Sequence, residues 1–122
     1  MNILSLAHYV PKKVLKNDDL TRMVDTSDEW IYTRTGIRER HIAADDEDNS
    51  DMALAASRQA LDQAGLQPGD IDAIIAATCT PDMTMPGMSS SLQGKLGNEH
   101  AMTFDLNAAC SGFIYSLDVA DS

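Results

Sequence analysis

Hydrophobic positions change their spacing several times along the chain, and each change marks a new element. Residues Asn2 to Val10 alternate loosely and stop at Pro11, which predicts a short strand whose inward face carries Ile3 or Leu4, Leu6 and Tyr9. Asn17 is placed to cap a short helix over Asp18 to Val24. Thr26-Ser27-Asp28-Glu29 has the form of a capping box, with Thr26 as cap and Glu29 three residues on, and opens a helix that Gly36 ends. Trp30 and Arg34 then stand four residues apart on one helical face.

Five of the seven residues from Asp45 to Asp51 are acidic, a solvated loop ending in the helix cap Ser50. Met52 to Ala64 follows the helical period, with Ala53, Leu54, Leu61 and Ala64 near one stripe and Gly65-Leu66 as a stop. After Gln67-Pro68-Gly69-Asp70, Ile71 to Thr78 is apolar on both faces, as a central strand of a helix-covered parallel sheet must be. A loop from Thr80 to Gly87 leads to a helix over Met88 to Leu96 that Gly97 and Asn98 close. Ala101 to Leu106 is a further strand, and Ser111 to Ala120 a mostly apolar helix still running at Ser122 with no stop signal, which reads as a truncation. This order predicts an α/β architecture with parallel strands and helical crossovers, without internal repeats.

Composition fits a soluble globular chain, one domain or a piece of one: 43% hydrophobic and 23% charged residues, with four prolines and seven glycines. Nine basic against nineteen acidic residues give a net charge of -10, which opposes binding to nucleic acid or anionic membrane. Apolar runs such as Ala73 to Ala77 fall far short of the roughly 20 residues that span a bilayer. Met1-Asn2-Ile3-Leu4 carries no basic segment of a secretory signal, so a cytoplasmic location is expected, with Cys79 and Cys110 as free thiols. His8, His41 and His100 lack metal-ligand spacing, and no metal is expected.

Phe104-Asp105-Leu106-Asn107-Ala108-Ala109-Cys110-Ser111-Gly112-Phe113 reads strand, tight small-residue turn, cysteine, helix, much like a nucleophile elbow. Unpaired amides in the first helical turn favour negative charge on the sulfur, whereas apolar Ala108, Ala109 and Phe113 oppose it. A second helper is required, and none of the three histidines lies in a setting that points it at Cys110. On spacing alone, Cys110 reads equally well as an inert cysteine packing a strand–helix junction. Cys79, ending an apolar strand, is expected to be buried and inert. By the same reasoning Trp30 is a half-buried aromatic, Arg34 a partner of Glu29 or Asp28, and Arg38 and Arg40 partners of Glu39 and the acidic loop. Met83, Met85 and Met88 read as core filler.

The segments Val24 to Ile31 and Thr33 to Ile42, together with Asn107-Ala108-Ala109-Cys110-Ser111-Gly112-Phe113, closely resemble β-ketoacyl-acyl carrier protein synthase III, the initiating condensing enzyme of type II fatty acid synthesis. The resemblance implies a thiolase-like layered α/β fold with a mixed, mostly parallel sheet covered by helices. Residues 1–122 would be its N-terminal part, cut within the helix after Cys110. It implies that Cys110 is the nucleophile that takes an acyl group from acyl-CoA, with its backbone amide in the oxyanion hole. Trp30 matches an indole that stacks on the CoA adenine, Arg34 lies in the CoA-contacting segment, and Thr26 and Thr35 match lesser polar contacts. Met85 matches a residue reaching across a homodimer into the partner's acyl pocket.

The implied partners are acyl-CoA and malonyl-acyl carrier protein, both substrates, with no separate cofactor. The family opens with glycines where this chain has Ser5 and Ala7. Its catalytic His and Asn lie in the second half, so the 122 residues alone are expected to be inactive, and an unpaired strand edge with exposed apolar faces is expected to make them poorly soluble. Two other functions compete: acyl transfer to an alcohol or amine from the same Cys110, and a non-catalytic module that binds CoA or a partner.

Overall fold

A computed structural model describes residues 2–122, which form two compact units: residues 10–47, and residues 48–122 with the segment ending at Tyr9. In the first unit, β1 (Lys13–Lys16) pairs antiparallel with β2 (Glu39–Ile42), Lys13 opposite Ile42 and Lys16 opposite Glu39. Charged residues at Lys13, Lys16, Glu39 and Arg40 break the apolar alternation, so this ribbon leaves little hydrophobic signal.

Between the two strands lie α1 (Asn17–Leu20) and α2 (Asp28–Thr35). The expected helix over Asp18 to Val24 is thus a single turn, and Asn17 is its first residue rather than its cap. Ser27, not Thr26, caps α2: its backbone is extended and its Oγ accepts the Trp30 amide proton at 3.1 Å. Gly36 ends α2 at φ 71°, a left-handed turn that glycine adopts without steric cost.

In the second unit, α3 (Asn49–Ala64) begins ahead of the expected start. Asp48 caps it, and Ser50 lies inside the helix, buried, because the Asp82 carboxylate reaches its amide at 3.2 Å. The Gly65-Leu66 stop forms as expected, the Leu66 amide donating to the Leu61 carbonyl at 3.0 Å. β3 (Ala73–Ala77) and β4 (Met102–Leu106) pair in parallel, Ala73 opposite Met102 and Ala77 opposite Leu106, connected through α4 (Met88–Leu96). α5 (Gly112–Asp121) follows β4.

Ile74, Leu92 and Ala101 form the centre of the core, with Ala53, Leu54, Ile71 and Leu96 against it. It is a thin core: among the described residues the buried hydrophobics are Leu61, Ile74, Met88, Leu92 and Ala101. Met88 fills it as expected, whereas Met83 and Met85 stand in solvent.

The expected first strand has no strand pairing among the described residues. Tyr9 is partly buried as expected, but Ile3, Leu4 and Leu6 are exposed, and Ser5 and Ala7 share the partly buried side with Tyr9. Ser5 Oγ donates to the Ala60 carbonyl at 2.7 Å, an approach to the α3 backbone that a large side chain would prevent.

Candidate functional site

The cysteine turn begins where β4 ends at Leu106. Asn107 and Ala108 lead into one 3₁₀ turn, Ala109–Ser111, closed by the Ser111 amide on the Ala108 carbonyl at 3.0 Å and the Gly112 amide on the Ala109 carbonyl. Ala109 sits at φ 45°, alone among the described non-glycine residues in having a positive φ. That conformation costs about 1–2 kcal/mol for a residue with a Cβ, and such strain is characteristic of functional turns. Cys110 follows it and is exposed. Behind the turn, Gly112 is buried so close to β3 that a Cβ there would stand 3.1 Å from Ala77 Cβ.

Cys79 is also exposed, contrary to the expected inert burial, because β3 stops at Ala77 and leaves it in the following loop. Its Sγ donates to Asn107 Oδ1 at 3.1 Å, on the cysteine turn itself. Two carboxylates fasten the loop between β3 and α4. Asp82 takes the Ser50 amide at the start of α3, and Asp105 takes the amides of Met88 and Ser89 at 2.6 and 2.8 Å at the start of α4. Burial pushes the Asp105 carboxyl up, but hydrogen bonds from the Ser89 hydroxyl and from the Ser89 and Met88 amides outweigh it and hold the group below its ordinary value. Met85, whose bond to Pro86 is cis, projects from this loop 82% exposed.

In the other unit, Arg34 lies over the exposed Trp30 ring, its guanidinium carbon 5.0 Å from the ring centroid. It is not the expected partner of Asp28, which Arg38 holds at 3.3 Å while stacking 3.8 Å from the centre of the Tyr32 ring. Arg40 likewise turns to Leu15 and Asn17, not to Glu39 or the acidic loop. Asp25, Thr26, Ser27 and Trp30 line an open concavity of about 380 Å³. Thr26 Oγ1 is buried there without a hydrogen-bond partner, whereas Thr35 Oγ1 is engaged at the end of α2, donating to Ile31 and accepting from Ile37. Thr26, Trp30, Arg34 and Thr35 are therefore gathered on and around one helix, and Cys110 and Met85 belong to the other unit.

Sequence reasoning missed Asn17, Asp82 and Asp105 as organising residues. Only Asp105 carried a signal, as a lone ionisable group inside an apolar strand. No group of three or more metal-ligating side chains and no helix able to cross a membrane occurs among the described residues.

The cysteine is held in a strained turn between a parallel strand and a helix, and the solved structures similar to this chain give it a thiolase-like α/β fold. The 3-oxoacyl-[acyl-carrier-protein] synthase III of Aquifex aeolicus superposes with a TM-score of 0.94 at 50% identity, over 98% of this chain and 38% of that one. The priming β-ketosynthase of the R1128 polyketide pathway gives 0.93 at 40% identity, over 98% and 36%. No family model matches the chain. The β-ketoacyl-[acyl-carrier-protein] synthase III of Ehrlichia canis is 53% identical over 120 residues, and that of Symbiobacterium thermophilum 57%, each over 98% of this chain. The chain belongs to the β-ketoacyl-[acyl-carrier-protein] synthase III family, matching an N-terminal part of it. It spans 38% and 36% of those two relatives.

Proposed function

We propose that the complete protein is an acyl-CoA-primed, decarboxylating condensing enzyme that opens type II fatty acid synthesis in the cytoplasm, with Cys110 as its acyl carrier. The Cys110 thiolate attacks the acyl-CoA thioester, and CoA leaves with the proton that the thiol gave up. Malonyl-acyl carrier protein then loses CO2, its enolate carbon attacks the acyl-cysteine carbonyl, and the thiolate departs from a β-ketoacyl product. The observation that carries this reading is the position of Cys110 directly after the strained Ala109, in the turn between β4 and α5.

The Trp30–Arg34 pair supports coenzyme A as the acyl donor: the indole offers a face for the adenine and the guanidinium a charge for phosphate. Thr26 adds a buried hydroxyl in want of a partner, and Thr35 a lesser contact. The histidine and asparagine that serve decarboxylation in this reading lie outside the 122 residues, which are inactive alone. Residues 1–122 form the N-terminal part of a thiolase-like domain whose remainder covers Leu4, Leu6, Phe113 and Ile114, all exposed here. Met85, at 82% exposure, is suited to reach a partner subunit's acyl pocket in a homodimer.

Incubating the complete protein with radiolabelled acetyl-CoA tests the reading. Labelled acyl-protein is expected from the wild type and from Cys79→Ser, and none from Cys110→Ala. Undiminished label on Cys110→Ala would overturn it.

A further inference from the structure

The coenzyme A reading places Trp30 and Arg34 on α2, yet no residue of that helix is buried. Among the described residues, apolar packing therefore contributes little to holding it in place. What ties it down there is a polar knot centred on Asn17, which is 1% exposed, beside the Arg38 contacts to Asp28 and Tyr32. One hydrogen of the Asn17 carboxamide goes to Asp28 Oδ1 at 2.8 Å, at the first residue of α2. The other goes to the Ile37 carbonyl, also at 2.8 Å, just past the Gly36 stop. A single amide group thus spans both ends of the helix. Its oxygen accepts from Arg40 in β2 at 2.6 Å, and the Asn17 backbone amide donates to the Arg38 carbonyl at 3.1 Å. The amide orientation follows from its neighbours: both acceptors lie on the nitrogen side and the guanidinium on the oxygen side.

We infer that Asn17 is a positioning residue for acyl-CoA binding: it fixes α2, and with it Trp30 and Arg34, against the β1–β2 ribbon. The inference rests on the coenzyme A reading proposed above. Asparagine is the side chain of this length that donates twice and accepts once. Asn17→Asp keeps the Arg40 contact but sets a carboxylate oxygen against the Asp28 carboxylate and the Ile37 carbonyl, loosening both ends of the helix together. Adding Asp28→Asn returns a donor to one of the two broken contacts.

The test uses the complete protein and reads the Kd of acetyl-CoA by titration calorimetry in a Cys110→Ala background, where no acyl group can transfer, with KM and kcat measured alongside on the protein that keeps Cys110. Asn17→Asp is expected to raise Kd and KM about five- to tenfold with kcat within about twofold of wild type, and Asn17→Asp/Asp28→Asn to recover part of the loss. Wild-type Kd in Asn17→Asp, or an equal loss of kcat without change in Kd, would overturn the inference. Trp30→Ala separates the two levels. If it weakens acetyl-CoA binding while Asn17→Asp does not, the positioning role alone fails; if Trp30→Ala binds as wild type, the coenzyme A reading fails and takes this inference with it.

Discussion

The Asp105 carboxylate accepts the Met88 amide proton at 2.6 Å, so the strand that delivers Cys110 is pinned to the start of the neighbouring helix. The same carboxylate takes the Ser89 amide, and neither contact depends on Cys110 itself.

Removing that carboxylate is expected to destabilise the fold. Asp105→Ala leaves two amides of the first turn of α4 unpaired and should cost about 1–2 kcal/mol, read from urea denaturation at neutral pH. Because the folded carboxyl titrates below its ordinary value of 3.8, its contribution is complete above that value. It fades as the pH falls through the lower folded value, so wild type and variant should converge in acid. A difference that persists or grows there would contradict the assignment.

Gly87 precedes α4 where a Cβ would stand 2.8 Å from Asp105 Oδ2. Gly87→Ala must therefore displace the carboxylate and is expected to lower the melting temperature by several degrees, a loss of about 1–2 kcal/mol. In an Asp105→Ala background the clash has no partner, so the second substitution should add little. Full additivity of the two losses would show that the contact is not the cause.

Both thiols face solvent, which bears on labelling experiments. Iodoacetamide on the native chain is expected to modify two cysteines, Cys79→Ser to leave one site and Cys110→Ser the other. Mass spectrometry of the labelled peptides gives the count, and a native chain that takes one label only would contradict the exposure of one sulfur.

Thr26→Val replaces a buried hydroxyl that bonds nothing with a methyl of nearly the same shape. Stability should be unchanged or rise by about 0.5 kcal/mol, since an unsatisfied polar group is removed. Under the coenzyme A reading the same change weakens acetyl-CoA binding. A marked fall in melting temperature would reveal a hydrogen bond in the free protein.

Much of the fold was legible because local signals and tertiary demands agreed. The Gly65-Leu66 and Gly97 stops, the limits of α4 and the parallel β3–β4 pair all follow from glycine positions and the change of apolar period. Where tertiary contacts set the outcome, local reading failed. The β1–β2 ribbon is charged at half of its positions, and its pairing becomes visible only once Lys13 meets Ile42. Ser50 resembled a cap by type, but a distant carboxylate, Asp82, claimed its amide and moved the helix start back to Asn49.

The site divides in the same way. Trp30 and Arg34 share a helical face, as their spacing required, and the turn at Cys110 falls where small residues interrupt an apolar strand. The exposure of Cys79 depended on β3 ending at Ala77, ahead of the expected Thr78. Asn17 read only as a helix cap, because the partners that define its actual role, Asp28, Ile37 and Arg40, are scattered along the sequence and converge only in three dimensions.

The pairing of Ala73 with Met102 across a single intervening helix has a consequence for the order of assembly. Each residue of β3 meets a partner 29 positions further on, so closing this crossover costs more entropy than closing a hairpin, and parallel pairing of this kind forms slowly. The energetically costly bend at Ala109, which follows β4 directly, therefore depends on a pairing that is itself completed late.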